Sequence, residues 1–242
     1  MLWATLIVLL AAFVRSVSGF GYALLATPLL IFVFDAKSVV VMNIILGITS
    51  NILVLWQTRR HIDFKRLAFI SLGGIFGVPL GAYLLSWLDP SIIKLTIAVL
   101  VIPFSVLLLL GRSHQFKQDS LVCGLAGVVS GLLTASTSLG GPPVVLLLLN
   151  QGLAPQRFVA TLAAYFLLVG LMSIAAFSSL GMITTDLLTK VAILLPALFV
   201  GSYVGVKLLP RINMTLFRKI VPSLMSVTAI VIIVSVIVEL PG

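Results

Sequence analysis

Polar sequence never runs far in this chain. Its longest polar interval, Gly111 to Ser120, covers about ten residues, and apolar runs occupy nearly everything else. A soluble helix or strand needs a polar face, and no domain with such faces can be carved out here. Hydrophobic residues make up 61% of the 242 and charged residues 9%, at a mean hydropathy of +1.29. The chain therefore reads as an all-α polytopic membrane protein. Its net charge of +9 does not point to nucleic acid, because the cations sit in short loops between apolar runs: Arg59, Arg60, Lys65 and Arg66 in one, Arg211, Arg218 and Lys219 in another. That placement marks the cytoplasmic side of a membrane. Cys123 is the only cysteine, which excludes an intrachain disulfide and a cysteine-based metal site. Met1-Leu2-Trp3-Ala4 carries no positive charge ahead of the first apolar run, so that run is expected to be a retained membrane segment.

The spans come in two sizes. Residues 2–14 are apolar but reach only about 20 Å, short of a hydrocarbon core of about 30 Å. Arg15 to Tyr22 reads as a break, and a second short segment follows from Ala23 to Phe34, with Thr27-Pro28 as an expected cap and first-turn proline. Ser38–Gln57, Leu67–Leu88 and Ile92–Leu110 are full spans, the last with Pro103 as an expected kink. Gly73, Gly77 and Gly81, four residues apart, predict a face that another helix approaches closely. After the polar interval the order restarts: a short run Leu121–Ala135, a shorter one Val144–Asn150, then spans Phe158–Leu180, 184–209 and Thr215–Val238.

Between the two short runs of the second half lies Ser130-Gly131-Leu132-Leu133-Thr134-Ala135-Ser136-Thr137-Ser138-Leu139-Gly140-Gly141-Pro142-Pro143. Glycines, clustered hydroxyls and a Pro-Pro pair oppose a helix interior, while Ser138 or Gly140-Gly141 can cap a new helix and Pro142 suits its first turn. A helix beginning there aims free N–H groups at the hydroxyls and is suited to an anion. A polar turn at the membrane surface is the plainer reading. The shortness of the neighbouring runs and an echo in the first half favour a break at membrane depth.

That echo is an internal repeat. Ser18-Gly19 aligns with Ser130-Gly131, Thr27-Pro28 with Gly141-Pro142-Pro143, and the glycine face at Gly77 and Gly81 with Gly201 and Gly205. The expected organisation is a first membrane repeat over 1–111, a cytoplasmic connecting loop over 112–119 and a second repeat over 120–242. Each repeat is a pair of short segments, re-entrant or spanning, followed by three full transmembrane helices. Only inverted repeats place loop 58–66, loop 111–119, the Arg157 turn and turn 207–219 all on the cytoplasmic side. Both termini then lie outside the cytoplasm, and two inverted repeats with interrupted segments match a transporter plan whose site lies where the breaks meet.

The residues for chemistry are few. Asp35, Asp63, Asp89, Asp119, Asp186 and Glu239 all stand at or beyond segment ends, and His61 and His114 lie in polar loops. No acid–base pair or metal set falls within a span, so neither an enzyme nor a cofactor is expected; a membrane-embedded enzyme or a non-transporting scaffold is the alternative class. The expected substrate is a small anion between the two interrupted segments. Its contacts would be Ser18, Gly19, Gly21, Tyr22 and Thr27 from the first break and Ser136, Thr137, Ser138, Gly140 and Gly141 from the second. Asn43 and Tyr165 are added from the long spans, with helix–helix bonding or packing as their plainer roles. Arg15 lies deep in the protein if the first pair is re-entrant and in an ordinary cytoplasmic turn if both segments cross. Expected partners are the small anion and the lipid bilayer, not nucleic acid, with a homo-oligomer left open.

Taken together, Ser18-Gly19-Phe20-Gly21 with Thr27-Pro28-Leu29-Leu30, Arg59-Arg60-His61-Ile62-Asp63, Gly73-Gly74 through Gly77-Val78-Pro79-Leu80-Gly81, and Ser130-Gly131 leading to Gly140-Gly141-Pro142-Pro143-Val144-Val145 resemble the sulfite exporter TauE/SafE family over nearly the whole chain. The resemblance implies an inner (plasma) membrane transporter of small anions, with sulfite and organosulfonates such as sulfoacetate as the substrate class. The family carries three glycines before its first proline segment; here the place reads Gly19-Phe20-Gly21-Tyr22-Ala23, and Tyr22 would fill space that glycine leaves open.

The charge pattern makes a direct prediction. A reporter or a cysteine label at the C-terminus is expected to be accessible only from outside the cytoplasm. A cytoplasmic C-terminus would overturn the inverted arrangement.

Overall fold

The computed structural model describes residues 1–18, 21–110, 120–208 and Ile230. Gly19, the connecting loop 112–119 and, Ile230 apart, the expected last span lie outside the described residues. Every regular element among them is helical: α1 Leu2–Ser18, α2 Tyr22–Leu30, α3 Ala36–Thr58 with a 3-10 turn Arg59–His61, α4 Phe64–Trp87, α5 Pro90–Leu110, α6 Ser120–Thr137, α7 Gly141–Asn150, α8 Pro155–Ser179 and α9 Thr185–Leu208. Five of these, α3 with its turn, α4, α6, α8 and α9, are long and apolar enough to cross a bilayer. The chain is an all-α polytopic membrane protein.

Three boundaries differ from the sequence reading, and hydroxyl chemistry explains two of them. The first helix does not stop before Arg15 but runs to Ser18, and α6 does not stop at Ala135 but includes Ser136 and Thr137. Ser16 Oγ donates to the Ala12 carbonyl at 2.9 Å, Ser136 Oγ to Leu132 at 2.7 Å and Thr137 Oγ1 to Leu133 at 2.8 Å. A hydroxyl bonded to the carbonyl four residues back is satisfied within its own helix and needs no break. At 18 residues, α6 spans about 27 Å and qualifies as a crossing helix. Thirdly, Thr27-Pro28 does not start a helix. α2 begins at Tyr22, capped by Gly21 at φ 95°, a left-handed conformation that glycine adopts without a Cβ penalty, and Pro28 lies inside it.

The helices group into two compact units, each drawn from both halves of the sequence. The first contains α1, α2, the start of α3, α5 and α9; the second contains the rest of α3 with α4, α6, α7 and α8. In the second unit α4 lies directly on α6. A Cβ added at Gly73, Gly77 or Gly81 would overlap the carbonyl oxygens of Gly124, Val128 and Leu132 respectively, so one glycine meets one carbonyl per turn. From the other side, a Cβ at Gly131 would come within 3.0 Å of the Gly74 Cα. Small faces of this kind let two backbones touch, and dispersion between them replaces the hydrophobic drive that lipid does not provide. The opposite stripe of α4, with Leu72, Phe76 and Leu80, is exposed. Phe64 and Trp87 stand exposed at the two ends of α4, roughly 35 Å apart along its axis, the spacing of aromatic belts at two membrane surfaces.

The first unit repeats the device. α9 lies on α1, where a Cβ at Gly201 would overlap the Leu9 carbonyl and one at Gly205 would sit 2.7 Å from the Ser16 Cβ and 2.8 Å from the Phe13 carbonyl. Helix lengths also recur in order: 17, 9, 23 and 24 residues for α1 to α4, then 18, 10, 25 and 24 for α6 to α9. α1 ends at Ser18 and α6 at Thr137, and Gly21 and Gly140 are the caps of the short helices that follow.

The glycine contacts predict their own test. Gly77→Leu and Gly201→Leu must push backbone from backbone, which exceeds ordinary core overpacking of about 1–3 kcal/mol. Both variants are expected to lose monodisperse protein or melt well below wild type. Gly124→Ala, whose Cβ would meet nothing within 4 Å, is expected to be tolerated. Normal melting of both leucine variants would show that these glycines are not the contact.

Candidate functional site

In the second unit the break is three residues long. α6 ends as the Ser138 N–H donates to the Thr134 carbonyl at 2.9 Å, and Ser138 takes φ 60°, left-handed and unfavourable for a residue with a Cβ. Such outliers persist where the surroundings enforce them. Here the enforcement is visible. Ser130 Oγ donates to the Gly140 carbonyl at 2.5 Å, Thr134 Oγ1 donates to the Ser130 carbonyl at 2.7 Å, and the Leu139 N–H reaches Thr137 Oγ1 at 3.3 Å. A side chain at Gly140 would collide with Thr134, so this glycine serves close packing. The start of α7 is thereby held against α6.

The hydroxyls and glycines of this break are not equivalent toward an anion. Ser136 and Thr137 give their protons to helix carbonyls, and Thr137 Oγ1 also accepts from the Leu139 N–H, so neither hydroxyl has a proton to spare. The donors come from the backbone. Pro142 and Pro143 occupy the first turn of α7 and carry no N–H, which leaves Gly140 and Gly141 at its positive end. Around Gly141 there is room: an added Cβ would meet nothing within 4 Å.

Of the residues expected from the long spans, Asn43 is buried in α3. Tyr165 is fully buried, its ring lies against Gly74, and its hydroxyl donates to the Gly127 carbonyl at 3.2 Å, with Ser130 as a second polar neighbour. It thus ties α8 to the α4–α6 crossing beside the break. Both belong to the second unit, with Ser136, Thr137, Ser138, Gly140 and Gly141.

Arg15, Ser18, Gly21, Tyr22 and Thr27 belong to the first unit. Arg15 stands in the last turns of α1, not in a turn between helices, and Ser18 is the last residue of that helix. Tyr22 opens α2 and is 3% exposed. It lies within electrostatic reach of the Arg15 guanidinium. Thr27 is fully buried in the middle of α2.

Sequence reasoning missed a polar cluster at the far end of α7. Arg66 pairs with Asp63, and its Nε donates to Gln151 Oε1 at 2.7 Å. The Gln151 amide approaches Cys123 Sγ at 3.4 Å, and the Asp63 N–H donates to Thr161 Oγ1 at 3.0 Å. Burial pushes the Asp63 carboxyl up, but hydrogen bonds from Arg66 and the charges of Arg66 and Arg157 outweigh it and hold the group below its usual range. A cavity of about 210 Å³ lies nearby, lined by Lys65, Arg66, Phe69, Ser120 and Cys123. The signal in the sequence was faint: a lone Gln after the short helix and an acid–base pair three apart in a loop. Among the described residues no three His, Cys, Asp or Glu side chains come together.

Comparison with curated proteins and with solved structures gives no match. The family model described as sulfite exporter TauE/SafE, by contrast, matches residues 4–232, almost the entire chain. With its spanning helices and paired interrupted segments, the chain belongs to the sulfite exporter TauE/SafE family of membrane transporters.

Proposed function

We propose that this chain is a secondary transporter that exports sulfite or an organosulfonate such as sulfoacetate across the inner (plasma) membrane by alternating access. Family membership supports transport. The observation that carries the anionic substrate is the break before α7, where the Gly140 and Gly141 N–H groups stand at a positive helix end and open space adjoins Gly141. Neither break contains a carboxylate: residues 15–28 and 130–143 include no Asp or Glu. A divalent-cation site draws on such carboxylates to balance its charge. On this reading Ser138, Gly140 and Gly141 touch the substrate, and Ser130, Thr134 and Tyr165 hold the loop that presents them. Two inverted repeats with both termini outside the cytoplasm are part of the proposal; the recurring order of helix lengths and the glycine contacts of α4 on α6 and α9 on α1 support a repeat.

Purified protein in liposomes tests the proposal. Saturable movement of sulfite or sulfoacetate is expected. Gly141→Val has room for its first carbon, so the protein is expected to fold, yet the side chain occupies the space at the N–H donors. Losing one hydrogen bond to a charged group corresponds to roughly 1.5–3 kcal/mol, so affinity should fall at least about tenfold. Wild-type protein inert toward both anions would overturn the transport reading. A folded Gly141→Val protein with unchanged affinity would remove the substrate from α7.

A further inference from the structure

The first unit holds a second arrangement of donors. Arg15 lies thirteen residues into α1, about 20 Å along the helix from Leu2, where the exposed Trp3 suits the membrane surface. A guanidinium is always charged and donates only. A cation at such depth is costly and marks function in a membrane protein. The described acids of this unit, Asp35, Asp89 and Asp186, stand at helix ends.

Tyr22 supplies the second observation. The residue is 3% exposed, and its hydroxyl oxygen is buried with no hydrogen-bond partner among the described residues. A buried hydroxyl without a partner weakens the fold, and a phenylalanine would pack as well without that defect. The phenol lies within electrostatic reach of Arg15 and on the first residue of α2. There the Tyr22, Ala23 and Leu24 N–H groups have no acceptor within the helix. A cation within electrostatic reach favours a phenol whose oxygen lone pairs face it, which would leave the proton for a ligand.

We infer that Arg15, the Tyr22 hydroxyl and the N-terminus of α2 form an oxyanion seat made of donors, which takes the fully deprotonated sulfur oxyanion head of the substrate and disfavours oxyanions that carry a proton. The inference rests on the transport reading above and assigns the substrate head to named groups. Sulfonate and sulfate oxygens are acceptors only and satisfy every donor. Hydrogen phosphate brings an O–H that would face a cation and other donors.

The test uses full-length protein in detergent, with sulfoacetate, sulfite, sulfate and inorganic phosphate as probes, read by calorimetry and thermal melting. Wild type is expected to bind sulfoacetate, with sulfate competing and phosphate not. Tyr22→Phe is expected to bind sulfoacetate about tenfold more weakly while the ligand-free protein melts no lower than wild type, since the removed hydroxyl has no partner among the described residues. A merely structural tyrosine would give the opposite pair of results. Arg15→Lys keeps the charge but loses the planar fork, and is expected to weaken sulfoacetate binding as well. Tyr22→Phe with wild-type affinity, or phosphate competing as well as sulfate, would overturn the seat. Wild-type protein that binds neither sulfoacetate nor sulfite would instead overturn the transport reading beneath it.

Discussion

Backbone touching backbone is the contact on which this structure depends. In water, helices associate by hiding apolar side chains, but lipid removes that drive, and close van der Waals packing must replace it. Gly73, Gly77 and Gly81 supply it by laying α4 on the carbonyls of α6 one turn at a time. The consequence reaches the break. A helix held along three turns cannot rotate or slide easily, so Ser130 and Thr134 of α6 are fixed platforms from which the start of α7 is held. Tyr165 closes the same crossing from α8, with its hydroxyl on Gly127 and its ring against Gly74. A loop that carries Ser138 at positive φ needs such support, because a residue with a Cβ is unfavourable in that conformation.

The same physics explains what the sequence discloses and what it conceals. Long apolar runs show their identity plainly, since nothing else accommodates twenty such residues, and α3, α4, α5, α8 and α9 lie within a few residues of where periodicity and composition put them. The glycine spacing in α4 is equally legible, because a four-residue repeat of residues without side chains has few uses other than close approach. Pro142 in the first turn of α7 follows from its missing N–H.

Hydroxyls are the ambiguous letters. Ser136 and Thr137 look like loop residues by composition, yet in a membrane helix each can return its proton to a carbonyl four residues back, and whether it does depends on the neighbours that exclude water. Pro28 misleads for a related reason. Proline costs a helix one hydrogen bond, which usually puts it in the first turn, but α2 is buried among other helices that tolerate the lost bond in its interior. The polar cluster of Asp63, Arg66, Gln151 and Cys123 joins residues as many as 88 positions apart in the chain, and no local pattern announces it.

The two interrupted segments differ in what they can offer an anion, and the difference is written in their first turns. α7 opens with two prolines, so its positive end carries backbone donors only at Gly140 and Gly141, and no cation lies in the break. α2 opens with Tyr22, Ala23 and Leu24, each with an N–H, and has the Arg15 guanidinium within electrostatic reach. Helix ends contribute about half a charge each, whereas a guanidinium contributes a whole one that does not titrate at working pH. Taken each by itself, the α2 break is therefore suited to a group of high charge density and the α7 break to an acceptor held by backbone donors alone. Two prolines withhold N–H groups at the start of α7, and a guanidinium adds a whole charge within reach of the start of α2, so what each break by itself can offer an acceptor follows from where the prolines and the arginine stand.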